Sequence, residues 1–308
     1  MTRAGFVAIV GAPNAGKSTL VNALVGSKVS IVSPKVQTTR MRVIGIAMTD
    51  LPHDGQGGGD RAQVVLVDTP GIFRIAKRRL ERAMVAAAWQ GAEDADVVAL
   101  MVDAERGISE ETRAIIERLK QSKAPRFLIL NKIDLVPREK LLALISELNS
   151  LVPFDHTFMV SALKSDGIAD VLAAFASAVP AGPFLYPEDQ AADLPMRLLA
   201  AEVTREQVFL QLHQELPYEA AVETEKWEER QDGSVRIEQT IHVQRDGQRA
   251  IVLGKGGTRI KQIGARARHE LSVMLERPVH LFLHVKVSAR WADDPAHYRA
   301  IGLDYDPK

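Results

Sequence analysis

The sequence predicts two consecutive domains: an α/β domain with a mostly parallel sheet and helices on both faces, followed by a smaller α+β domain. Short β-branched runs alternate with helical patterns as far as Ala178, which is the rhythm of βαβ units. A stretch with three prolines and one glycine, residues 179–187, then ends the alternation. We therefore expect the first domain over residues 1–180, a linker over 181–189 and the second domain over 190–308.

The composition is that of an ordinary globular protein. Hydrophobic residues make up 46% and charged residues 25% of the 308 residues, which argues against disorder, collagen and coiled coil. The absence of cysteine excludes disulfides and cysteine-ligated metal sites and fits a reducing compartment. The N-terminus lacks a signal-peptide cleavage region, and no segment approaches the roughly 18 apolar residues of a membrane span. We expect a cytoplasmic monomer without an integral membrane segment.

A phosphate-binding motif follows the first predicted strand. Residues 11–18 fit the pattern G-x-x-x-x-G-K-[ST] between a strand and a helix, which is the context that this motif requires. Its glycines let backbone N–H groups surround phosphate oxygens, and the helix N-terminus adds the positive end of its dipole. We expect Lys17 to reach the β- and γ-phosphates and Ser18 to bind magnesium. The expected nucleotide contacts of this loop are Gly11, Ala12, Pro13, Asn14, Ala15, Gly16, Lys17, Ser18 and Thr19.

Two later motifs select the base. Asn131, Lys132 and Asp134 form N-K-x-D after a predicted strand, and an aspartate there can accept two parallel hydrogen bonds from N1–H and the amino group of guanine. Adenine lacks this arrangement of donors, and sites built on such hydrogen bonds reject the wrong ligand by about 10⁴ to 10⁵. A second element resembles the S-A-K motif, whose backbone contacts the guanine carbonyl, and comprises Ser161, Ala162, Leu163 and Lys164. The sequence therefore predicts GTP and GDP as ligands.

Two further segments complete the predicted nucleotide site. Asp68 ends the run at 64–67, where the aspartate of a GTPase holds magnesium through water, and it is followed by Thr69, Pro70 and Gly71. Residues 37–40, Gln-Thr-Thr-Arg, resemble a first switch segment, in which a threonine hydroxyl reaches magnesium only when GTP is bound. We assign Thr39 rather than Thr38, because a Thr-Arg pair recurs at this point in related GTPases. The predicted catalytic residues are Lys17, Thr39 and Gly71, and the predicted magnesium ligands are Ser18, Thr39 and Asp68.

The residue after Gly71 is an isoleucine, where Ras-like GTPases carry the glutamine that orients the attacking water. Ile72 cannot orient water, so hydrolysis should be slow or should depend on another group or ion. Asn14 matches the P-loop asparagine that helps to hold potassium beside the phosphates in several related GTPases. Potassium is thus a candidate second ion, and the alternative is that Asn14 only caps its own loop.

The second domain carries a glycine loop within its most basic stretch. Residues 245–290 contain 10 basic and 3 acidic residues, although the whole chain has 39 of each sign. A G-x-x-G loop that follows an apolar strand and precedes a helix is the KH pattern, which clamps about four single-stranded nucleotides. The expected RNA contacts are Gly254, Lys255, Gly256, Gly257, Arg259, Lys261, Arg266 and Arg268. The alternative is an ordinary turn beside a solvated basic face.

A P-loop GTPase domain followed by a bacterial-type KH domain is a rare pairing, and over essentially the whole chain the sequence resembles the Era family of bacterial ribosome-assembly GTPases. The additional motifs that carry the resemblance are residues 13–20, 37–40, 215–218, 277–280 and 291–294. A longer loop at 51–61, expected to be exposed, departs from the family pattern.

The resemblance implies three properties that composition and spacing do not show. They are binding to the 3′ end of small-subunit ribosomal RNA, a GTP-dependent role in maturation of the small ribosomal subunit, and peripheral association with the inner membrane. Two alternatives stay open. One is a metabolic phosphotransferase, which the base-selecting motifs disfavour, and the other is a membrane-associated cell-cycle switch whose KH domain binds a protein partner.

Overall fold

The computed structural model divides the chain into two compact units. It describes residues 2–33, 35, 39–51, 60–72, 79–212, 216–289, 291, 294–301 and 303–305. The first unit comprises the described residues within 1–30, 39–193 and 302–308, and the second comprises those within 31–38 and 194–301. Each unit has its own sheet.

The first unit is built on a six-stranded sheet in the order β2-β3-β1-β4-β5-β6. All neighbouring strands are parallel except β2, which runs antiparallel to β3. The strands are β1 (Thr2–Gly11), β2 (Val43–Asp50), β3 (Arg61–Asp68), β4 (Val97–Asp103), β5 (Arg126–Asn131) and β6 (His156–Val160). The helices are α1 (Lys17–Val25), α2 (Arg79–Glu93), α3 (Glu110–Leu119), α4 (Arg138–Leu151) and α5 (Ile168–Ala178). The predicted α/β class with a mostly parallel sheet is confirmed.

Helices cover both faces of this sheet, which explains its nearly continuous apolar strands. Within β1, Val7 and Ile9 pack in a core that includes residues of α1 and α5, whereas Ala8 and Val10 pack in a second core with residues of α2, α3 and α4. Polar functional groups are therefore expected in the loops at the ends of the strands rather than on the faces of the sheet. Because β1, β3, β4 and β5 are parallel, the loops at their carboxyl ends lie at one edge of the sheet, where such folds bind ligands.

The segment predicted as the linker, residues 181–189, lies within the first unit. The side chain of Gln63, which is fully buried in β3, explains this difference from the prediction. Its Oε1 accepts the N–H of Tyr186 at 2.9 Å and its Nε2 donates to the carbonyl of Tyr186 at 2.8 Å. The buried amide of Gln63 and the backbone N–H and carbonyl of Tyr186 satisfy each other, so none of these polar groups needs water. These hydrogen bonds hold the segment on the first unit.

The chain that follows pairs with the outer edge of β2. The N–H of Ile46 donates to the carbonyl of Ala191 at 2.8 Å, and the N–H of Asp193 donates to the carbonyl of Ile44 at 3.1 Å. Gly45 and Ala192 form an antiparallel bridge between these two hydrogen bonds. The first unit therefore extends to Asp193 rather than ending at residue 180.

The second unit packs helices on a three-stranded sheet in the order β7-β8-β9, with β7 antiparallel and β9 parallel to β8. The strands are β7 (Ala221–Glu229), β8 (Val235–Val243) and β9 (Val279–Val287), and the helices are α6 (Met196–Gln211), α7 (Asp246–Leu253), α8 (Thr258–Met274) and α9 (Pro295–Ala300). The predicted α+β class is confirmed. In the described part of the chain, no helix is both long and apolar enough to cross a membrane.

One element of the second unit differs from the prediction. Residues 251–253, interpreted from the sequence as an apolar strand, form the end of helix α7, so the glycine loop joins two helices. The side chain of Gln248 starts this helix, because its Oε1 accepts the N–H groups of Gln244 at 2.8 Å and Arg245 at 3.1 Å. A run of three apolar residues is too short for its periodicity to distinguish a strand from a helix.

Candidate functional site

The predicted phosphate loop connects the carboxyl end of β1 to helix α1. Asn14 and Gly16 both have left-handed backbone, with φ of 64° and 102°. A Cβ atom on Gly16 would lie 2.3 Å from Nδ2 of Asn131, so only glycine fits at this position. Ala15 is buried and Thr19 is half-buried in α1.

Lys17 is buried beside the loop that it is expected to complete. Its Nζ donates to the carbonyls of Gly11 and Ala12, both at 3.0 Å. Burial lowers the pKa of Lys17 to about 8, an effect that the negative charge of Asp68 partly opposes. A phosphate bound beside this nitrogen would add a second negative charge and favour the ammonium form further.

The segment Asp-Thr-Pro-Gly, which begins with the last residue of β3, runs against the phosphate loop. The hydroxyl of Thr69 donates to the carbonyl of Ile9 at 2.7 Å, which attaches the segment to β1. A Cβ atom on Gly71 would lie 2.9 Å from Cα of Pro13. The absence of a side chain at Gly71 thus permits the close approach that a γ-phosphate contact requires.

Four oxygen-bearing side chains converge at the end of β3. Ser18 Oγ and Ser30 Oγ each donate to Oδ2 of Asp68 at 2.7 Å, and Ser18 Oγ lies 2.8 Å from Oγ1 of Thr39. The cluster unites the three predicted magnesium ligands, which come from separate parts of the sequence. It also contains Ser30, which belongs to no recognised motif.

The chemistry of this cluster fits magnesium. The second carboxylate oxygen of Asp68, Oδ1, is buried and has no hydrogen-bond partner among the described residues. Burial raises the pKa of Asp68, although hydrogen bonds from Ser18 and Ser30 and the charge of Lys17 oppose that effect. A hard cation with a preference for oxygen would satisfy such an orphaned carboxylate. Thr38, the alternative to Thr39, lies outside the described residues, as does Gln37.

Asn131 joins the base-recognition region to the phosphate loop. Its Nδ2 donates to the carbonyl of Ala15 at 2.8 Å, and its Oδ1 accepts the N–H of Ala162 at 3.0 Å. One side chain thus holds together the phosphate loop, the N-K-x-D loop and the loop that begins at Ser161.

Asp134 is ready to accept hydrogen bonds from a base. Lys164 Nζ lies 3.1 Å from Oδ2 of Asp134, and the neighbouring Ser161 hydroxyl and Lys164 ammonium groups hold the pKa of Asp134 below its ordinary value. The carboxylate therefore stays ionised, and only the ionised form accepts two donors. Leu163 in the same loop is 84% exposed, so its expected contribution is its backbone rather than its side chain.

The glycine loop of the second unit combines one tight position with two open ones. Gly254, Gly256 and Gly257 have left-handed φ values of 71°, 61° and 75°. A Cβ atom on Gly254 would lie 2.7 Å from Cβ of Arg259, whereas one on Gly256 or Gly257 would meet nothing within 4 Å. Lys255 between them is exposed. The last two glycines and the lysine thus face open space that a nucleic-acid backbone could enter.

A groove lies beside this loop, and only two of the four predicted basic contacts line it. It is a cavity of about 480 Å³ between α8 and β9, lined by Ile260, Lys261, Gly264, Ala265, Arg268, Leu281 and Leu283. Lys261 and Arg268 line the groove, whereas Arg259 and Arg266 do not. An apolar wall beside two cations suits a single-stranded nucleic acid, whose bases can pack on the aliphatic side chains while its phosphates pair with the cations.

Comparison with known proteins identifies two domain types in the chain. Residues 6–132 match a family described as 50S ribosome-binding GTPase, and residues 215–292 match the KH domain family. The chain is 59% identical over 304 residues to the GTPase Era of Afipia carboxidovorans, a match that covers 99% of this chain and 95% of that protein. It is also 59% identical over 304 residues to the GTPase Era of Rhizobium meliloti, with 99% and 94% covered.

Two solved structures resemble the chain over nearly its full length. One is a variant of Aquifex aeolicus Era bound to GDP·AlF4⁻, with 39% sequence identity, a TM-score of 0.89, and 97% of this chain and 99% of that chain covered. The other is Era in complex with MgGDPNP and nucleotides 1506–1542 of 16S ribosomal RNA, with 39% identity, a TM-score of 0.90, and 98% and 99% covered.

Proposed function

The chain belongs to the Era family of GTPases, and on that premise we propose that it binds and hydrolyses GTP and binds the 3′ end of small-subunit ribosomal RNA. The observation that carries the proposal is the likeness over 98% of the chain to an Era structure that contains both MgGDPNP and 16S ribosomal RNA. The protein is a GTPase. The phosphotransferase alternative is not favoured.

The nucleotide half of the proposal follows from the groups already described. The backbone of residues 11–18 surrounds the phosphates, Lys17 adds a positive charge, and Asp134 accepts the two donors of guanine. Ser18, Thr39 and Asp68 would hold magnesium, which when bound neutralises charge on the β- and γ-phosphate oxygens. Because Gly71 has no side chain, the γ-phosphate can approach its N–H group closely.

No side chain at position 72 orients the attacking water. Ile72 is 4% exposed and belongs to the core that contains Val10 and Trp89. Its backbone N–H donates to the carbonyl of Gly11 at 3.3 Å. Hydrolysis must therefore depend on groups other than this side chain, and we propose that a potassium ion held by Asn14 supplies positive charge beside the phosphates.

The potassium proposal predicts a salt-specific rate. At equal ionic strength, GTP hydrolysis is expected to be roughly tenfold faster in potassium chloride than in sodium chloride, which corresponds to a barrier lower by about 1.4 kcal/mol. Asn14→Ala should erase the difference. GDP affinity, measured in both salts, is the control that the loop stays intact. Equal rates in the two salts for the unmutated protein would rule out the potassium proposal, but they would not contradict the assignment of the protein as a GTPase.

The RNA half of the proposal rests on the second unit. The open glycines, Lys255 and the groove containing Lys261 and Arg268 offer the two features that single-stranded RNA needs, which are close backbone approach and positive charge. The alternative, a membrane-associated cell-cycle switch whose KH domain binds a protein, is not favoured, because two cations and an open glycine loop at one groove suit the closely spaced phosphates of RNA.

Crosslinking of the GTP-loaded protein in cells, followed by sequencing of the attached RNA, tests this proposal. We expect reads concentrated at the 3′ end of small-subunit ribosomal RNA. Lys255→Asp serves as the control and should lose these reads. Binding to a cellular partner that survives nuclease treatment, with no enrichment of ribosomal RNA, would favour the protein-binding alternative instead.

Three further properties are proposals that the family resemblance supports. We infer that the protein assists maturation of the small ribosomal subunit in a GTP-dependent manner, that it works in the cytoplasm as a monomer, and that it associates peripherally with the inner membrane. Sedimentation of small-subunit precursors from cells depleted of the protein tests the first of these.

A further inference from the structure

An acidic residue at the end of β4, Asp103, lies beside the base-recognition loop although it belongs to none of the recognised motifs. In the parallel pair β4 and β5, Asp103 is in register with Asn131, and the N–H of Ala104 donates to the carbonyl of Asn131 at 2.9 Å. Asp103 is 6% exposed. A carboxylate so buried needs protein partners to compensate for the water that it has lost.

Both oxygens of the Asp103 carboxylate have partners. Oδ1 accepts the backbone N–H groups of Glu105 at 3.0 Å and Arg106 at 3.4 Å, which is the local turn that aspartate favours. Oδ2 lies 2.5 Å from Nζ of Lys132, and Nε of Arg106 is 3.7 Å away. The turn thus orients the carboxylate, and its second oxygen binds the lysine of the N-K-x-D motif.

Lys132 is consequently fixed at both ends. Its backbone has a left-handed φ of 64°, a conformation that is uncommon for a residue with a side chain. Its ammonium group is held in the ion pair with Asp103. A lysine side chain ordinarily loses much rotamer freedom when it is ordered, and the ion pair with Asp103 limits the rotamers that this stem can adopt.

We propose that Asp103 is a positioning residue for the guanine base. By binding Nζ of Lys132, it holds the lysine stem against the plane of the ring and slows the release of the nucleotide. The inference rests on the proposed guanine-nucleotide site. Its role differs from that of Asp134, because a stem packed on the ring plane does not sense the substituents at the edge of the base.

The test is a double-mutant cycle on nucleotide release. Asp103→Asn keeps the size of the side chain and the acceptor for the two turn N–H groups, but it removes the charge that binds Lys132. Dissociation of a fluorescent GDP analogue is expected to be about tenfold faster, as for loss of a charge-assisted contact. Lys132→Met keeps an apolar stem and should have a similar effect. The double variant should be no faster than either single one, because both substitutions break the same ion pair.

Asp155→Asn is the matched control. Asp155 accepts the N–H of Arg126 at 2.7 Å at the opposite end of β5. Like Asp103, it therefore accepts a backbone N–H group, but it lies far from Lys132. Its substitution should leave GDP release unchanged. The ratio of GDP to inosine diphosphate affinity is a second readout, which should stay constant in Asp103→Asn and change in Asp134→Asn.

Unchanged GDP release in Asp103→Asn would overturn the proposal. An effect of Asp103→Asn that is equally large in the Lys132→Met background would also overturn it, because Asp103 would then act only through its turn. If the proposed function is wrong, the unmutated protein will not bind GDP, and both the proposed function and the role of Asp103 will be overturned. Failure of this inference alone would be visible only in the variants.

Discussion

Changing Asp134 to asparagine is expected to transfer the nucleotide preference from guanine to xanthine. The ionised carboxylate accepts hydrogen bonds from N1–H and the exocyclic amino group of guanine. An asparagine presents an N–H₂ group at one of these positions. This group and the amino group of guanine are both donors, so they cannot form a hydrogen bond with each other. Xanthine has a carbonyl oxygen at that place and restores the pairing. GTP affinity should fall by about 10³-fold or more, as in other sites that are left with an unmatched hydrogen-bonding partner.

Competition binding with GTP and xanthosine triphosphate measures this exchange. Asp170→Asn, the same chemical change at an exposed position of α5, is the control and should alter neither affinity. Full GTP affinity in Asp134→Asn would show that the assignment of the guanine contact to this carboxylate is wrong. Loss of both nucleotides without a gain for xanthine would indicate that the loop had been disturbed as a whole.

Gly256→Asp is expected to abolish binding of single-stranded RNA while GTP affinity and basal hydrolysis change little. The added side chain would occupy the open space in front of the loop and place a negative charge where phosphates must pass. Because a Cβ atom at Gly256 meets nothing within 4 Å and aspartate tolerates left-handed backbone better than most residues, the variant should fold. RNA affinity should fall by roughly 100-fold or more, by Coulomb repulsion and the loss of phosphate contacts. Lys255→Asp should have the same effect.

Gly233→Asp is a closely matched control for this experiment. Gly233, in the turn between β7 and β8, also has a left-handed φ, of 78°, and open space around its Cβ position. Its substitution should leave RNA binding intact. In the unmutated protein, the logarithm of RNA affinity should fall by roughly 0.7 per phosphate contact for each tenfold increase in salt. A Gly256→Asp protein with unchanged affinity and salt dependence would show that the glycine loop is only a turn.

The parts of the site that could be predicted are those in which chemistry dictates a short contiguous motif. The phosphate loop, the N-K-x-D loop and the aspartate after β3 each bind their ligand through neighbouring residues at fixed spacing, so the sequence displays them directly. The α/β class was predictable for a similar reason, because strands covered on both faces leave continuous apolar runs. Lys17 and Asn131 each donate to a carbonyl of the phosphate loop, and Asp68 accepts the hydroxyl of Ser18 in the same motif.

The parts that could not be predicted depend on contacts between distant residues. Ser30 and Asp103 are single polar residues in unremarkable surroundings. The side chain of Asn22 in α1 binds both the N–H and the carbonyl of Ser30, which places Ser30 beside Asp68, and the register of β4 and β5 brings Asp103 to Lys132. The end of the first unit was misplaced because a buried glutamine, Gln63, binds a segment more than a hundred residues away. Likewise, the sequence groups four basic residues on α8, and only the helix geometry shows that two of them line the groove.

The pairing of residues 191–193 with β2 also affects the tendency of copies of this protein to associate through the edges of their sheets. β2 is the last strand of its sheet, and an edge strand with unpaired N–H and C=O groups is a template on which another chain can add a strand. Here Ala191 and Asp193 occupy the hydrogen-bonding positions of Ile46 and Ile44. The stretch of chain that leads out of the nucleotide-binding unit therefore also blocks edge-to-edge association, and a cut or loosening within it would expose an aggregation-prone edge.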